Sequence, residues 1–424
     1  MDRKSSLSIK MFTVMTLILL LFVLATAQSV FASPDEQIEL TVWFGRDAFI
    51  PADQFATFNE MYPNITITTD VVPLEEVVAA YTRAYMAGIA PDIIQVGQNA
   101  VGPLIARDSL MDMTEWFEVW KEEDPELYED IAPYGWDLAS WEGIPYGLGI
   151  HFGTNGSWFV YRKDVLERYG FDAPETWDDV LEIARAVKDE MTGFSLIGSR
   201  LTEPIWTVGK FMAMGGQFED GIPQIDSEAG HYLIHVHQTL AREGLIHPET
   251  LAWDSGEMRT AFIGGRAAMA PIGWNIYPTI QEELPYKEKW DQIPNPYRPG
   301  AEEERKLMLI GWPYYVSAQT EHPYEASLVL RYLASPEIVS EVAKRYQPTS
   351  TMSVMDDPAY VEAKPWAAEK YAYMDEMEPM EVHLRASEME DLWRDLLQES
   401  ITNVDEDPAD MARRYQEEMN KLIP

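Results

Sequence analysis

Between residues 38 and 96 the chain alternates between the residue spacing of a β-strand and that of an α-helix. Strand-like runs lie at Ile38 to Phe44, Ile65 to Thr69 and Ile93 to Val96, and helical spacing lies at Ala52 to Tyr62 and Leu74 to Ala87. This β–α–β–α order predicts a mostly parallel sheet with helices on both faces. Ligands of such sheets bind at the carboxyl ends of the strands. We therefore expect a binding site after the first and third of these strands.

The rest of the chain extends this mixed pattern. At 424 residues it is longer than one hydrophobic core supports, so two lobes are expected. Further helices are predicted at Trp177 to Lys188, with Thr176 as N-cap, at Ser255 to Gly264 and at Glu325 to Ala334, and the charged tail from 366 to 422 is helix-rich. Because no flexible linker or repeat interrupts the chain, strands should cross between the lobes and form a hinge.

The N-terminus has the composition of an export signal. Basic residues within the first ten positions precede an apolar stretch from Met11 to Ala27, and cleavage after Ala27 or Ala32 fits the small residues there. A retained membrane anchor is the alternative. The absence of cysteine excludes disulfides and the modified cysteine of a lipoprotein. We predict that residues 1–32 are a signal peptide and that the protein is periplasmic or secreted.

The charge of the chain restricts its partners. Its formal net charge is −39, which repels phosphate backbones and anionic lipid surfaces, so no nucleic-acid partner is expected. Apolar residues make up 46% of the chain, which indicates a globular rather than a disordered protein.

Common catalytic motifs are missing from the sequence, among them the G-x-S-x-G elbow, H-E-x-x-H and the G-x-x-x-x-G-K-[ST] phosphate loop. His231, His235 and His237 form a histidine cluster, and the first two have the helical spacing that can hold a metal. Their charged neighbours favour a solvated helix surface, so neither a metal nor a cofactor is predicted.

A pair of catalytic carboxylates cannot be recognised among so many acidic residues. A secreted carbohydrate-active enzyme, such as a glycoside hydrolase, is therefore the alternative function.

Aromatic residues favour a carbohydrate ligand. The chain has 14 Trp and 12% aromatic residues. Those beside glycine or polar residues at predicted strand ends are Trp43, Trp141, Trp158, Trp206, Trp274 and Trp312. Sugar rings stack their apolar faces on flat aromatic rings, and their hydroxyl groups need polar side chains such as Asp, Asn, Gln and Arg. A position in the hydrophobic core is the competing interpretation for each tryptophan.

Short motifs follow one another in a specific order along the chain. They are Tyr62-Pro63, Met86-Ala87-Gly88, Ala90-Pro91-Asp92-Ile93-Ile94, Gly143-Ile144-Pro145-Tyr146-Gly147, Tyr161-Arg162-Lys163-Asp164, Pro174-Glu175-Thr176-Trp177, Phe262-Ile263-Gly264-Gly265-Arg266-Ala267-Ala268-Met269, Gly273-Trp274, Gly311-Trp312 and Tyr332-Leu333-Ala334-Ser335-Pro336-Glu337. Over roughly residues 38–420, their order and spacing resemble the extracellular solute-binding proteins of ABC sugar importers, the maltose-binding class. Many of those relatives carry a lipobox cysteine, which this chain lacks.

The resemblance implies an α/β, two-lobed periplasmic-binding-protein fold with discontinuous lobes, a hinge and an interlobe cleft. Lobe 1 would comprise residues 33–150 and 298–347, and lobe 2 residues 151–297 and 348–424. The expected crossings lie near residues 148–153, 295–300 and 345–350. The implied function is the binding of a mono- or oligosaccharide by a monomer that delivers it, without catalysis, to the permease subunits of an ABC importer. A surface adhesin is a third possibility, but repeats or an all-β pattern would be expected for it.

The resemblance also implies ligand contacts, position by position. They are Trp43, Arg46 and Asp47 after the first strand, Gln98 and Asn99 after the third, Asn155, Glu203 and Trp206 in the second lobe, the aromatic platforms Trp274 and Trp312, and Arg385 in the helical tail. The maltose-specific relatives have acidic residues where Asn99 and Asn155 stand, which argues against maltose as the sugar.

Overall fold

The architecture is that of a computed structural model that describes residues 37–45, 55–153, 156–194, 205–247, 253, 255–273, 276–345 and 348–423. The predicted signal peptide lies outside these ranges. Within them, no helix combines the length and the apolar character that crossing a membrane requires.

Strands and helices alternate along the described residues. The strands are β1 Ile38–Phe44, β2 Ile65–Val71, β3 Ile93–Gln95, β4 Ser140–Trp141, β5 Ile144–Pro145, β6 Gly147–Leu148, β7 Phe152–Gly153, β8 Trp158–Tyr161, β9 Thr192–Phe194, β10 Phe218–Glu219, β11 Ile222–Pro223, β12 Ala267–Ala270, β13 Asp291–Pro294, β14 Leu307–Gly311, β15 Tyr314–Val316 and β16 Met377–Pro379. The helices are α1 Phe55–Met61, α2 Leu74–Met86, α3 Gly102–Ile105, α4 Thr114–Glu123, α5 Pro125–Asp130, α6 Pro133–Asp137, α7 Lys163–Tyr169, α8 Trp177–Val187, α9 Ile205–Ala213, α10 Glu228–Arg242, α11 Ser255–Ile263, α12 Tyr277–Glu283, α13 Pro323–Ala334, α14 Pro336–Arg345, α15 Met352–Met355, α16 Pro358–Ala363, α17 Pro365–Tyr371, α18 Ala386–Thr402 and α19 Pro408–Asn420.

The first sheet has five strands in the order β2-β1-β3-β15-β6. Strand β1 pairs in parallel with β2 over its whole length and with β3 near its end. Alternate residues of β1, from Ile38 to Phe44, are buried, because a strand points successive side chains to opposite faces. The predicted parallel sheet is confirmed for these three strands, and β15 adds an antiparallel neighbour to β3.

The second sheet has four strands in the order β13-β8-β12-β9. Strands β8 and β12 are buried at every residue, which is typical of strands covered on both faces. Helix α8 packs into the same core through Trp177, Val180 and Leu181. It begins at the predicted N-cap, where the Thr176 side chain accepts the Asp179 N–H and the Asp179 side chain accepts the Thr176 N–H. This helix and its cap are confirmed.

A third sheet, β16-β14-β7, joins the two main sheets and is called the connecting sheet below. The chain passes from β6 in the five-stranded sheet through β7 to β8 in the four-stranded sheet. It returns from β13 through β14 to β15. Beside the connecting sheet, His151 also forms a bridge with Thr349. The five-stranded sheet is therefore built from discontinuous segments of the chain, whereas the strands of the four-stranded sheet all lie between β7 and β14. The residue boundaries given above for the lobes stay a prediction.

Candidate functional site

The end of strand β1 is the first predicted part of the site. Trp43 is half-buried and packs against a core cluster that includes Val77 and Tyr81. Five of the predicted contacts lie outside the described residues, namely Arg46, Asp47, Asn155, Glu203 and Trp274. The predicted contacts after strand β3 are among the described residues, and the site is described from there.

The chain leaves β3 at Gly97 and forms a short 3-10 turn, Gln98–Ala100. The side-chain Nε2 of Gln98 donates to the carbonyl oxygen of Met380 at 3.2 Å. The side-chain Nδ2 of Asn99 donates to Oε1 of Glu390 at 2.8 Å. Met380 directly follows β16 and Glu390 lies on α18. These bonds join residues that are 282 and 291 positions apart in the sequence.

Helix α18 belongs to the core around the four-stranded sheet. Its residues Met389, Trp393 and Leu396 are buried in the same cluster as Phe159 of β8 and Trp177 of α8. The bond from Asn99 to α18 therefore connects the carboxyl end of the five-stranded sheet to the unit around the four-stranded sheet. Two predicted residues, Gln98 and Asn99, thus lie at the junction of the two units.

Glu390 is a partly buried carboxylate at this junction. Burial raises its pKa above the ordinary value, and the hydrogen bond from Asn99 and the charge of Arg394 act in the opposite direction. The ionised carboxylate accepts hydrogen bonds only, and such charge-assisted bonds are short and strong. The side chain is suited to a ligand that presents hydroxyl or amino donors.

Two cavities adjoin at the junction, and both are lined by residues 380–383. The smaller, about 40 Å³, is lined by Asn99 and Glu390. The larger, about 520 Å³, is lined by Gln98 and Arg385. A cavity of that volume falls within the range of small-molecule sites. Three predicted contacts are therefore brought together around one pair of cavities.

The tryptophans differ in their surroundings. Trp312, directly after β14, is half-buried, and its Cδ1 lies 3.8 Å from the position that a Cβ would take on Gly97. It therefore lies beside the carboxyl end of β3. Trp206 is 5% exposed and belongs to the hydrophobic core. Trp141 lines the larger cavity. The ligand contacts predicted for Trp206 and Trp312 stay predictions.

Arg385, predicted within the helical tail, occupies the N-cap position just before α18. Its side chain is half-exposed, and its Nε donates to Oε1 of Glu388 at 3.1 Å. Sequence reasoning missed Glu381 and Glu390, which line the cavities from the same segment. No local pattern distinguishes these two carboxylates from the other acidic residues of the tail. Only the contacts of the segment from Met380 to Glu390 with the turn after β3 identify them.

The predicted solvated surface of the histidine cluster is wrong for one of its members. On α10, His235 is exposed and His231 is partly exposed, with its Nε2 2.8 Å from Oδ1 of Asp226. His237, however, is 1% exposed, because α18 packs over that face of α10. Its charged sequence neighbours gave no sign of this cover. In the part of the chain that the structure describes, no group of three or more potential ligands is arranged to hold a metal.

His237 is the centre of a buried polar chain. The hydroxyl of Ser400 donates to the carbonyl oxygen of Leu397, so it accepts from Nδ1–H of His237 at 3.1 Å. Nε2 of His237 is then left to accept from Nζ of Lys210 at 3.2 Å. Burial lowers the pKa of Lys210 to about 7, and burial and the nearby Lys210 hold the pKa of His237 well below its ordinary value. These groups interact with one another in the core, and none of them lines either cavity.

Known proteins with similar sequences come from bacterial transport systems. The chain is 25% identical to a probable amino-acid ABC transporter periplasmic-binding protein of Sinorhizobium fredii, over 49% of this chain and 48% of that protein. It is 21% identical to the melibiose/raffinose/stachyose-binding protein of Bacillus subtilis, over 49% of this chain and 51% of that protein. The alignments therefore span about half the length of these curated relatives.

Solved structures resemble the chain over nearly its whole length. One is a maltose-bound MalE3 of T. maritima, with a TM-score of 0.71 at 21% identity, covering 91% of this chain and all of the other. Another is an ABC transporter solute-binding protein of Agrobacterium radiobacter in complex with ribitol, with a TM-score of 0.73 at 18% identity, covering 92% of this chain and all of the other. The predicted α/β, two-lobed periplasmic-binding-protein fold is confirmed by these similarities.

The family itself is identified by a sequence model rather than by any single relative. The model of the bacterial extracellular solute-binding proteins matches residues 45–339, which is more than half of the chain. That match runs from the residue after β1 to α14 and includes strands β7 and β14 of the connecting sheet. The chain belongs to the family of bacterial extracellular solute-binding proteins.

Proposed function

We propose that this protein binds a carbohydrate in the cleft between its lobes, outside the cytoplasm, and delivers it to the permease subunits of an ABC importer. The observation that carries the proposal is the junction at which Asn99, after β3, bonds to Glu390 on α18. A ligand held there touches both units. It favours the closed arrangement by the extra contacts that it makes only in that arrangement. Closure gives the importer a loaded form that differs in surface from the empty one.

The choice of a carbohydrate rests on chemistry and on relatives. Carboxylate and amide groups at the junction suit hydroxyl groups, and Trp312 beside Gly97 offers a flat ring. Relatives are named for diacetylchitobiose and for melibiose, raffinose and stachyose, while one is named for amino acids. An amino-acid ligand is therefore the alternative within the same family, and a binding screen separates the two.

The remaining features of the proposal follow from the sequence. Residues 1–32 would direct export, and the mature protein would act as a monomer in the periplasm or outside the cell, with no nucleic-acid partner. Lobe 1 would comprise residues 33–150 and 298–347, and lobe 2 would comprise residues 151–297 and 348–424. The protein would release its ligand unchanged, because the family and the fold are those of binding proteins.

A thermal-shift screen over mono- and oligosaccharides and amino acids tests the ligand class, since a ligand that binds only the folded form raises the melting temperature. With the best sugar at saturation, small-angle scattering should give a smaller radius of gyration than without it. Chromatography should recover the sugar intact. Hydrolysed sugar would favour the carbohydrate-active enzyme. Tight binding without any compaction would contradict the hinged mechanism.

The aromatic platforms give a second expected result. Replacing Trp274 or Trp312 by alanine should weaken sugar binding by about 1–3 kcal/mol, roughly ten- to a hundredfold, if each ring is a central anchor. Trp116→Ala is a matched control, since Trp116 is partly buried on α4, where it packs against Tyr324. Isothermal titration on the three variants measures the difference. Unchanged affinity with a lowered melting temperature would place the ring in the core instead.

A further inference from the structure

Gly102 begins helix α3, and its own backbone gives no reason for a glycine. The residue is buried, and it is not among the glycines with positive φ, so its backbone conformation is open to residues with a side chain. Within a helix, alanine is favoured over glycine. The absence of a side chain at this position is therefore explained by what lies against its Cα.

The atoms that face Gly102 come from the other unit. A Cβ on Gly102 would overlap with the carbonyl oxygen of His383 and would lie 3.1 Å from the Cα of Leu384. Both residues belong to the segment 380–385 between β16 and α18, which is called the strap below. The three nearest atoms are all backbone, so none can move aside as a flexible side chain would. The two units meet here without space for a methyl group.

The strap is held by the unit around the four-stranded sheet. The N–H of Gly221, in the turn between β10 and β11, donates to Oε2 of Glu381 at 3.2 Å. A Cβ on Gly221 would lie 2.9 Å from the backbone nitrogen of His383, so the strap lies directly on this turn. The chain then enters α18, whose Trp393 is buried in the core of that unit. The strap therefore cannot retreat from Gly102 unless its whole unit moves.

The close approach at Gly102 also buries an apolar side chain of the strap. Val382 is 9% exposed and belongs to the same core cluster as Val101 and Leu104 of the first unit. Burial of apolar surface favours this contact, and a gap of even a fraction of an ångström loses much of the attraction between the packed atoms. A side chain at position 102 would open such a gap.

We propose that Gly102 is a positioning residue for closure, because its missing side chain lets the strap dock on the first unit and so sets how far the lobes close. The inference rests on the proposed function in one respect, namely that closure is the motion by which the protein holds its ligand. It goes beyond that function, because Gly102 lines neither cavity. The contact acts on closure without touching the ligand.

The substitution Gly102→Ala tests the proposal on the full mature chain without sugar. Its radius of gyration, about 21 Å for a compact chain of this length, should increase by about 1 Å in small-angle scattering. The melting temperature should hardly change, because a rotation of the units relieves the overlap and leaves each core intact.

Gly230→Ala is the matched control. Gly230 also lies in the first turn of a helix, α10, and is not among the glycines with positive φ. A Cβ there would overlap with the carbonyl oxygen of Ile225, which belongs to the same unit. Only a distortion of that core can relieve the overlap, so the melting temperature should fall and the radius of gyration should stay unchanged. A wild-type radius of gyration for Gly102→Ala, with or without a lower melting temperature, would overturn the proposal.

The strap offers an independent variant should Gly102→Ala not fold. Val382→Ser places a hydroxyl group in the apolar contact and should also increase the radius of gyration. A wild-type value for this variant would equally overturn the proposal. Since no sugar is added, these outcomes do not depend on the class of ligand, and they are distinguishable from a negative result of the binding screen.

Discussion

Replacing Asn99 by aspartate is expected to separate the two units at their junction and to weaken ligand binding about ten- to a hundredfold. The substitution changes one amide into a carboxylate of the same shape, at the position that now donates to Glu390 over 2.8 Å. Two carboxylates at that distance cannot both stay ionised without repulsion. Because both side chains are partly exposed, solvent reduces the repulsion to about 1–3 kcal/mol. That energy opposes the closed arrangement and hence the form that holds the ligand.

A second substitution on the partner separates this effect from general damage. Glu390→Gln combined with Asn99→Asp restores a donor and an acceptor, with the direction of the bond reversed, and should recover most of the affinity. The radius of gyration without ligand should increase in the single variant and return in the double variant. In the single variant, lowering the pH should also restore binding, as the pair of carboxylates takes up one shared proton. Full affinity in the single variant at pH 7 would show that the Asn99–Glu390 contact does not bear on closure.

The parts of the fold that depend on local pattern could be predicted from the sequence. The sequence predicts strand β1 at Ile38 to Phe44, where the structure has it, because alternating apolar residues indicate one buried face. Helix α8 and its cap at Thr176 follow equally from local rules. The predicted helix at Ala52 to Tyr62 is described from Phe55 to Met61, and its first residues lie outside the described part.

The parts that depend on distant contacts could not be predicted in the same way. Glu390 meets Asn99 across 291 positions, so neither local spacing nor composition indicates the pair. The burial of His237 could not be predicted for the same reason. Helical spacing places the residue on α10, but only the packing of α18 against α10 buries it. The tryptophans also differ in burial for reasons that the sequence does not show. Trp120 and Trp290 are fully buried while Trp141 lines a cavity, and the residue type alone does not distinguish these positions.

Replacing Lys210 by methionine is expected to remove a pH dependence from the stability of the protein. Burial lowers the pKa of Lys210 from 10.5 to about 7. The folded state therefore disfavours the ammonium form by about 4–5 kcal/mol relative to the unfolded chain. Because the unfolded state binds more protons between pH 7 and 10.5, the contribution of Lys210 to stability rises with pH across that window. Below pH 7 its full cost is present, and above 10.5 it vanishes.

The variant isolates that contribution, since all other ionisable groups are common to both proteins. Between pH 7 and 9 the free energy of unfolding of the wild type should increase by about 2 kcal/mol relative to Lys210→Met. At pH 7 the variant should be the more stable protein by about 1–3 kcal/mol, because it loses the buried ammonium but leaves Nε2 of His237 without its donor. Urea unfolding at several pH values measures both differences. Lys188→Met is the control, at an exposed position just after α8. It should show neither the pH-dependent change nor the stability difference at pH 7. A difference in the free energy of unfolding between wild type and Lys210→Met that stays constant from pH 7 to 9 would contradict this prediction. It would mean that Lys210 keeps its proton in the core, and that the hydrogen bonds from Lys210 through His237 to Ser400 stabilise an ammonium rather than a neutral amine.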